Sequence, residues 1–213
     1  MKIIKIGHCC LLIQLENLTI LTDPGVFSTA QDVVVGVDVV LITHEHADHF
    51  HVPSLKKVLE NNPSAKVLTN SSVGALLAKE GIPCEVLEGL AKKEIQGVEI
   101  EAFDGKHEEI FEEIGQVQNT GYMIAGRLFY PGDSFKNPEK PVDILALPVA
   151  GPWCKLPDAI RYALKVNPKK IFPVHDGMLQ KDRIGAFHAV PAKVFTEKGI
   201  EFIPMLEGDS MEL

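Results

Sequence analysis

Cysteine, long apolar runs and basic residues are all scarce in this sequence of 213 residues, and each scarcity argues against a class of protein. The four cysteines lie at positions 9, 10, 84 and 154, a spacing that matches neither a zinc knuckle nor a redox C-x-x-C pair. A bond between the neighbouring Cys9 and Cys10 would be strained, so we expect free thiols and a reducing, cytoplasmic location. No apolar run reaches membrane-spanning length, and the first residues lack the apolar core of a signal peptide. We therefore expect no membrane partner.

The charge balance argues against a nucleic-acid partner. Lys and Arg number 21 and Asp and Glu 29, which gives a formal net charge of −8, whereas binding a phosphate backbone needs a basic surface. A small anionic substrate held by local groups is compatible with this charge. The hydrophobic content of 46% is ample for a core, and the length favours a single domain over residues 1–213. We expect a small-molecule substrate, and the sequence leaves the oligomeric state open.

One stretch concentrates side chains that bind metals. An apolar, largely β-branched run at residues 37–42 predicts a buried strand. Directly after it, residues 43–49 read T-H-E-H-A-D-H. Imidazole and carboxylate are the ligands preferred by zinc, iron and manganese, and the end of a strand is the usual place for chemistry in an α/β sheet. The alternative is a solvated polar loop with chance histidines.

The spacing within this stretch favours two metals over one. His44 and His46 are two residues apart, so in an extended loop they point the same way. Asp48 and His49 are adjacent and therefore face a different direction. We expect two neighbouring metal sites.

The pattern of strands and helices predicts the architecture. Strand patterns followed by helix patterns occur twice, and the second set ends in a strand at 170–174, a helix at 191–198 and a strand at 201–205. Two sheets packed face to face with helices outside would bury both sets of strands. The expected fold is α/β, a four-layer αβ/βα sandwich.

Three later residues follow strands in the same way, each beside a glycine or tight turn: His107, Asp133 and His175. Each has a simpler interpretation. His107 would be a surface histidine beside acidic residues, Asp133 a turn residue, and His175 a buried, hydrogen-bonded histidine. We expect the acidic segment 108–113 to lie near the mouth of the site.

The H-x-H-x-D-H sequence at 44–49, followed by a lone His, a Gly-Asp and a last His, resembles the metallo-β-lactamase superfamily. The resemblance runs over nearly the whole chain and is most specific at 44–49. The Gly-His pair at 7–8 and the Thr-Asp-Pro sequence at 22–24 resemble the branch that includes ascorbate-6-phosphate lactonases and N-acylphosphatidylethanolamine phospholipase D. The compact chain looks like the small hydrolases of the lactonase branch.

The resemblance implies two divalent metals, with zinc favoured over manganese or iron. It assigns the first metal to His44, His46 and His107, the second to Asp48, His49 and His175, and the bridge between them to Asp133. A hydroxide shared by the two metals would be the nucleophile, and Asp48 would be catalytic by orienting it. The implied reaction is hydrolysis of an ester, lactone, amide or phosphodiester of a small molecule.

Other residues have two interpretations each. By the resemblance, His8 binds substrate at the rim of the site and Asp23 orients a ligand histidine. Otherwise His8 is a strand-end histidine and Asp23 a turn residue. Trp153 either walls the substrate pocket or is a core aromatic. We expect His51 and His188 on the surface.

Functions of other classes remain open. Sulfur dioxygenases of the same superfamily use a single iron, so iron content and oxygen consumption would distinguish an oxidoreductase. A phosphodiesterase or nuclease would require salt-dependent RNA binding. A non-catalytic sensor would turn over no generic ester.

Overall fold

Alternating and buried apolar runs pair into two seven-stranded sheets in the computed structural model, which describes residues 1–180 and 182–213. The strands, numbered in chain order, are β1 (Lys2–Gly7), β2 (Cys10–Gln14), β3 (Thr19–Thr22), β4 (Val39–Leu41), β5 (Lys66–Thr69), β6 (Glu85–Val86), β7 (Lys92–Ile95), β8 (Val98–Lys106), β9 (Gln118–Ile124), β10 (Leu128–Tyr130), β11 (Ile144–Pro148), β12 (Lys170–Val174), β13 (Glu201–Phe202) and β14 (Ser210–Glu212). The first sheet has the order β14-β1-β2-β3-β4-β5-β6 and the second β13-β12-β11-β10-β9-β8-β7.

Four α-helices and a short 3-10 helix complete the described part of the chain. They are the 3-10 helix Ala30–Val33, α1 (Val52–Asn61), α2 (Ser71–Lys79), α3 (Leu156–Val166) and α4 (Gly185–Thr196). Pro53 and Pro157 lie in the first turns of α1 and α3, where a missing backbone N–H costs nothing. The side chain of Asn70 caps α2 by accepting from the Val73 backbone N–H.

Three apolar clusters join these elements into four layers. Between the sheets, Ile13 and Leu41 of the first sheet pack in one cluster with Ile124 and Phe172 of the second, and all four are fully buried. A second cluster seats α1 and α2 on the outer face of the first sheet. A third seats α3 and α4 on the outer face of the second. The expected αβ/βα sandwich is confirmed.

Parallel pairing brings strand ends to a common edge. In the first sheet β3, β4, β5 and β6 run parallel, and in the second β10, β11, β12 and β13 do. The carboxyl ends of parallel strands meet at one edge of a sheet, which is where α/β proteins build their sites. The loops that follow β3, β4, β10, β11 and β12 carry most of the candidate residues described below.

The C-terminal part of the chain departs from the sequence-based prediction. The last helix begins six residues earlier than expected and contains Pro191, although a proline inside a helix costs about 3 kcal/mol. Burial of Phe195 against the second sheet offsets part of that cost. The closing strand is confined to β13, and the unpredicted β14 pairs antiparallel with β1.

No helix in the described ranges is long and apolar enough to cross a membrane. All four cysteines are free thiols, as expected.

Candidate metal centre

Three site residues have left-handed backbone conformations. Asp23 follows β3 with φ +37°, His175 follows β12 with φ +61°, and His8 follows β1 with φ +40°. Such conformations are strained for residues with a Cβ and persist where the surroundings over-determine them. At each of these strand ends the strained turn carries a side chain of the site.

Two groups of potential ligands converge at the edge where these strands end. The first contains His44, His46 and His107, whose ligand atoms lie within 4.8 Å of one another. The second contains Asp48, His49, Asp133 and His175, again within 4.8 Å. All three of His107, Asp133 and His175 are buried in one polar cluster. The simpler interpretation of His107 as a surface histidine is therefore wrong, and the ligand roles of Asp133 and His175 stay predictions.

Asp133 joins the two groups. One carboxylate oxygen, Oδ2, lies 3.2 Å from His107 Nε2 and 2.8 Å from His175 Nε2. The other, Oδ1, lies 3.0 Å from His49 Nε2. Asp133 is therefore the one residue of the described set whose carboxylate touches both groups of ligands.

Backbone carbonyls assign the tautomers of two histidines. His107 Nδ1 lies 2.5 Å from the carbonyl oxygen of Glu108, and His175 Nδ1 lies 2.5 Å from that of Ala150. A carbonyl only accepts, so each ring must donate from Nδ1. In the neutral form the Nε2 atom of each ring then carries a lone pair that faces the centre of the cluster.

Hydrogen bonds to Asp23, which lies behind the site, assign the tautomers of His49 and His44. Its Oδ2 accepts from His49 Nδ1 at 2.7 Å, from Thr43 Oγ1 at 2.8 Å and from the Tyr130 hydroxyl at 2.6 Å, and its Oδ1 accepts from the Thr43 backbone N–H at 2.8 Å. Because the Thr43 hydroxyl donates to Asp23, its oxygen accepts from His44 Nδ1 at 3.0 Å. His49 and His44 therefore also direct Nε2 lone pairs into the cluster.

This donor set fits divalent cations. Nε2 of His44, Nε2 of His49 and Oδ1 of Asp133 are buried without a hydrogen-bond partner among the described residues, and such orphaned groups are rare and costly. Lone-pair nitrogens face carboxylate oxygens at 2.8–3.2 Å, which is unfavourable unless a proton or cation lies between them. Imidazole and carboxylate together suit zinc, manganese and iron.

The tautomer of His8 is opposite to that of His44, His49, His107 and His175. Its Nδ1 accepts from the Gly177 backbone N–H at 3.0 Å, so Nε2 carries the proton and donates to Asp48 Oδ2 at 3.2 Å. Burial lowers the pKa of His8 to about 4, which keeps the ring neutral. His8 is 1% exposed and does not line the cavity over the two ligand groups described below. It lines a separate cavity beside Gly177, and its role at the substrate rim stays a prediction.

A third grouping of His8, Cys9, His49 and His175 also falls within 4.8 Å, but its chemistry suits a metal poorly. His8 Nε2 is a donor in its assigned tautomer. Burial raises the pKa of the Cys9 thiol to about 12, and the thiolate is the form that binds metals.

The carboxylates of the cluster are held ionised. Burial favours the neutral form of Asp133, but the nearby rings of His175 and His49 keep the pKa of its carboxyl well below the usual range. Burial also opposes ionisation of Asp48, but the hydrogen bond from His8 and the nearby rings of His49 and His175 together outweigh it and lower the pKa of that carboxyl. Ionised carboxylates are the metal-binding form.

The histidines respond to burial in two ways. Burial lowers the pKa of His44 and of His46, which favours the neutral imidazole that binds metals. Burial acts in the same direction on His49, but Asp133, Cys9 and Asp23 outweigh it and raise the pKa of His49. A cation bound at Nε2 of His49 would compete with that proton.

A cavity of about 290 Å³ opens over the two groups. Its polar lining consists of His46, Asp48, His107, Asp133 and His175. Trp153 also lines it, with ring centroids 5.5 Å from His107 and 5.3 Å from His175. Trp153 is 9% exposed, so it belongs both to the cavity wall and to the core cluster under α3.

Residues 2–175 match the family model described as the beta-lactamase superfamily domain. The chain belongs to the metallo-β-lactamase superfamily. Protein Rv0786c of Mycobacterium tuberculosis is 33% identical over 193 residues, which are 88% of this chain and 90% of that protein. The UPF0173 metal-dependent hydrolase MJ1163 of Methanocaldococcus jannaschii is 25% identical over 221 residues, covering 97% of this chain and 98% of the relative.

Among solved structures, the diiron beta-hydroxylase CmlA from Streptomyces venezuelae superposes with a TM-score of 0.79 at 17% identity, covering 100% of this chain and 54% of that one. This likeness concerns the metallo-β-lactamase fold alone. The family relatives make the chain a metal-dependent hydrolase of this fold. The narrower resemblance to the ascorbate-6-phosphate lactonase branch stays a prediction.

Two histidines outside the metallo-β-lactamase ligand set are less exposed than expected. His188 is 8% exposed, and its Nε2 lies 3.4 Å from Asp176 Oδ2, so the prediction of a surface residue is wrong. His51 is half-buried, and its Nδ1 lies 3.0 Å from the hydroxyl of Ser54 in the first turn of α1.

A buried ion pair beside the site was missed by the sequence analysis. Lys5 Nζ donates to Asp176 Oδ2 at 2.6 Å and to the carbonyls of Pro173 and Met205 at 3.0 and 3.1 Å. Lys5 and Asp176 are 1% and 4% exposed. The alternation of side chains along β1 could have indicated that Lys5 is buried, because Lys5 lies on the same face of the strand as the fully buried Ile3.

Proposed function

We propose that this metal-dependent hydrolase is binuclear and cleaves an ester, lactone, amide or phosphodiester of a small molecule. The observation that supports this best is the convergence of imidazole nitrogens, assigned as lone-pair acceptors by their Nδ1 partners, on an ionised carboxylate. Such a set of acceptors is suited to divalent cations.

The ligand assignment follows from the two groups. In the proposal the first metal is held by His44, His46 and His107, the second by Asp48, His49 and His175, and Asp133 is shared between them. The tautomer chain through Asp23 supports this role for His49, because a hydrogen bond to Nδ1 orients the ring and fixes Nε2 as the ligand atom.

Divalent cations bound there would lower the pKa of a water and polarise the carbonyl or phosphoryl oxygen of the substrate. The chain itself supplies orientation. Asp48 lies at the cavity floor with its side chain 20% exposed, so it can accept a hydrogen bond from the attacking water and direct its lone pair at the substrate. His8 keeps that carboxylate in place by donating to Oδ2, which makes His8 a positioning residue.

Trp153 contributes a substrate contact in this proposal. It lines the cavity between His107 and His175. Its Nε1 is buried with no hydrogen-bond partner among the described residues, so the indole offers a donor as well as an apolar face.

A second candidate is an iron oxidoreductase. The His and Asp set suits iron as well as zinc, and a single iron bound there would serve a sulfur dioxygenase. Iron in the purified protein, together with oxygen consumption in the presence of a persulfide, would favour this candidate over hydrolysis.

The proposal is tested with Asp133→Ala. The variant should lose at least one equivalent of metal and nearly all ester turnover while its circular dichroism stays that of the parent protein. Asp38→Ala is the matched control: Asp38 also accepts hydrogen bonds, from the Thr19 backbone and from Gln96, but it belongs to neither ligand group. An Asp133→Ala protein that keeps two metals and its turnover refutes the assignment.

A further inference from the structure

The walls of the cavity carry information on the substrate that the ligand set does not. We infer that the site accepts an uncharged substrate whose non-reacting part is apolar, an inference that rests on the proposed hydrolase function. Above the polar floor the walls are built from seven uncharged side chains: Val26, Phe27, Ala47, Ile110, Pro152, Trp153 and Met178.

Three of the side chains in these walls are more exposed to water than apolar side chains usually are. Val26 is 41% exposed, Phe27 47% and Met178 42%, and all three line the same cavity. Clustered exposed apolar side chains mark binding surfaces. Phe27 is also held in place, since its ring packs edge-on against His8 with centroids 5.2 Å apart. An apolar substrate group would remove these side chains from water, which is the source of its affinity.

The charges around the cavity disfavour an anionic substrate tail. No lysine or arginine occurs among the described residues that line the cavity. The loop that contributes Ile110 carries the exposed Glu109, Glu112 and Glu113, which would repel an approaching anion. Metal ions at the floor would attract the reacting oxygen, but a carboxylate or phosphate on the far end of the substrate would meet only apolar walls. Burying a charge without a partner is costly.

The size of the cavity limits the substrate further. Its volume of about 290 Å³ lies just below the range of about 300–1,000 Å³ seen for small-molecule sites. A compact acyl, lactone or amide group fits this space.

Ester kinetics with metal-loaded protein test the inference. For p-nitrophenyl esters from acetate to heptanoate, kcat/KM should rise about two- to fourfold per methylene, as expected for partial to full burial of each group. After subtraction of the spontaneous rates, kcat/KM for the heptanoate ester should be at least about tenfold higher than kcat/KM for its anionic counterpart, mono-p-nitrophenyl adipate. A flat series, or an adipate ester hydrolysed as well as the heptanoate, overturns the inference.

Variants of the walls sharpen this test. Phe27→Ala and Met178→Ala should flatten the dependence on chain length, and Met178→Lys should raise the adipate rate relative to heptanoate. Val190→Ala is the matched control, since Val190 is 49% exposed on α4 and outside the cavity. The dependence of kcat/KM on chain length in Val190→Ala should equal that of the parent protein. If Val190→Ala flattened this dependence as much as Phe27→Ala does, the assignment of the walls would be contradicted.

A binding readout separates failure of this inference from failure of the proposed function. The chain has one tryptophan, and it lines the cavity as Trp153, so its fluorescence reports occupancy. Titration of the full-length protein with heptanamide and with adipic acid monoamide should give at least about tenfold tighter binding of the neutral amide. If heptanamide binds as predicted but no ester is turned over, hydrolysis fails and the inference stands. Equal or tighter binding of the anion overturns the inference whatever the turnover.

Discussion

Replacement of Asp23 by asparagine should weaken both proposed metal sites. The Thr43 backbone N–H donates to Asp23 Oδ1 and cannot reverse its polarity, so the amide oxygen of Asn takes that position. The amide NH₂ then occupies the Oδ2 position, 2.7 Å from His49 Nδ1. There it favours the tautomer with the proton on Nε2 of His49, which removes the lone pair that would bind the second metal.

The expected loss of metal affinity follows from the hydrogen bond between Asp23 and the proposed ligand His49. Loss of a partner that orients a ligand histidine typically reduces metal affinity about 10–100-fold, which is about 1.4–2.7 kcal/mol. Asp23 is fully buried and Oδ2 accepts three hydrogen bonds, so unfolding free energy should also fall by about 2 kcal/mol or more, since charge-assisted bonds contribute about 1.5–3 kcal/mol each.

Chelator competition on the purified protein measures both sites. Asp23→Asn should weaken the second site through His49 and the first site through His44. The amide NH₂ at the Oδ2 position donates to the Thr43 hydroxyl, which then donates to His44 Nδ1 and favours the tautomer of His44 with its proton on Nε2. Asp38→Asn, which removes a carboxylate that accepts the Thr19 backbone N–H away from both ligand groups, should leave both affinities unchanged. Equal affinities in Asp23→Asn and the parent protein would refute the tautomer argument.

Three further substitutions test other contacts. His8→Phe removes the donor to the carboxylate at the cavity floor, so kcat should fall at least about tenfold with metal content unchanged, and His8→Gln should recover part of it; full activity in His8→Phe would contradict the positioning role. Lys5→Met leaves Asp176 buried without its cation, so the free energy of unfolding measured in urea should fall by about 3–5 kcal/mol. The double variant Lys5→Met/Asp176→Leu should recover most of this loss. A loss under about 1 kcal/mol in Lys5→Met would refute the role of the ion pair. Gly25→Ala places a Cβ 1.8 Å from a backbone oxygen of the histidine-rich loop, whereas Gly115→Ala meets nothing within 4 Å; only the former should lower metal affinity and thermal stability, and equal behaviour of the two would contradict it.

The ligand cluster was predictable from sequence because its information is local. His44 to His49 follow one strand directly, and His107, Asp133 and His175 each follow another. Parallel strands place such ends at one edge, so a pattern of strand ends predicts a cluster without any knowledge of distances. Asp23 lies behind His49 and contacts its Nδ1 atom, and its role in orienting a ligand stays a prediction.

What the sequence did not predict depends on contacts between distant segments. The tautomer of His8 is set by Gly177, 169 residues away, and the burial of Lys5 by Asp176, 171 residues away. The strand β14 exists because β1 offers it a free edge. Local propensity carries no information on such pairings, and it gave the wrong start for α4, where packing of Phe195 offsets part of the cost of Pro191. The single domain over residues 1–213 and the cytoplasmic location stay predictions.

Metal content of the purified protein, measured by elemental analysis alongside ester turnover, tests the central claim most directly. The proposal predicts two equivalents of zinc or manganese per chain, activity that is lost on chelation, and activity that returns when the metal is restored. One equivalent of iron with oxygen consumption and no hydrolysis would contradict the binuclear hydrolase and favour the oxidoreductase. Protein that binds no metal even after addition would contradict the ligand assignment itself.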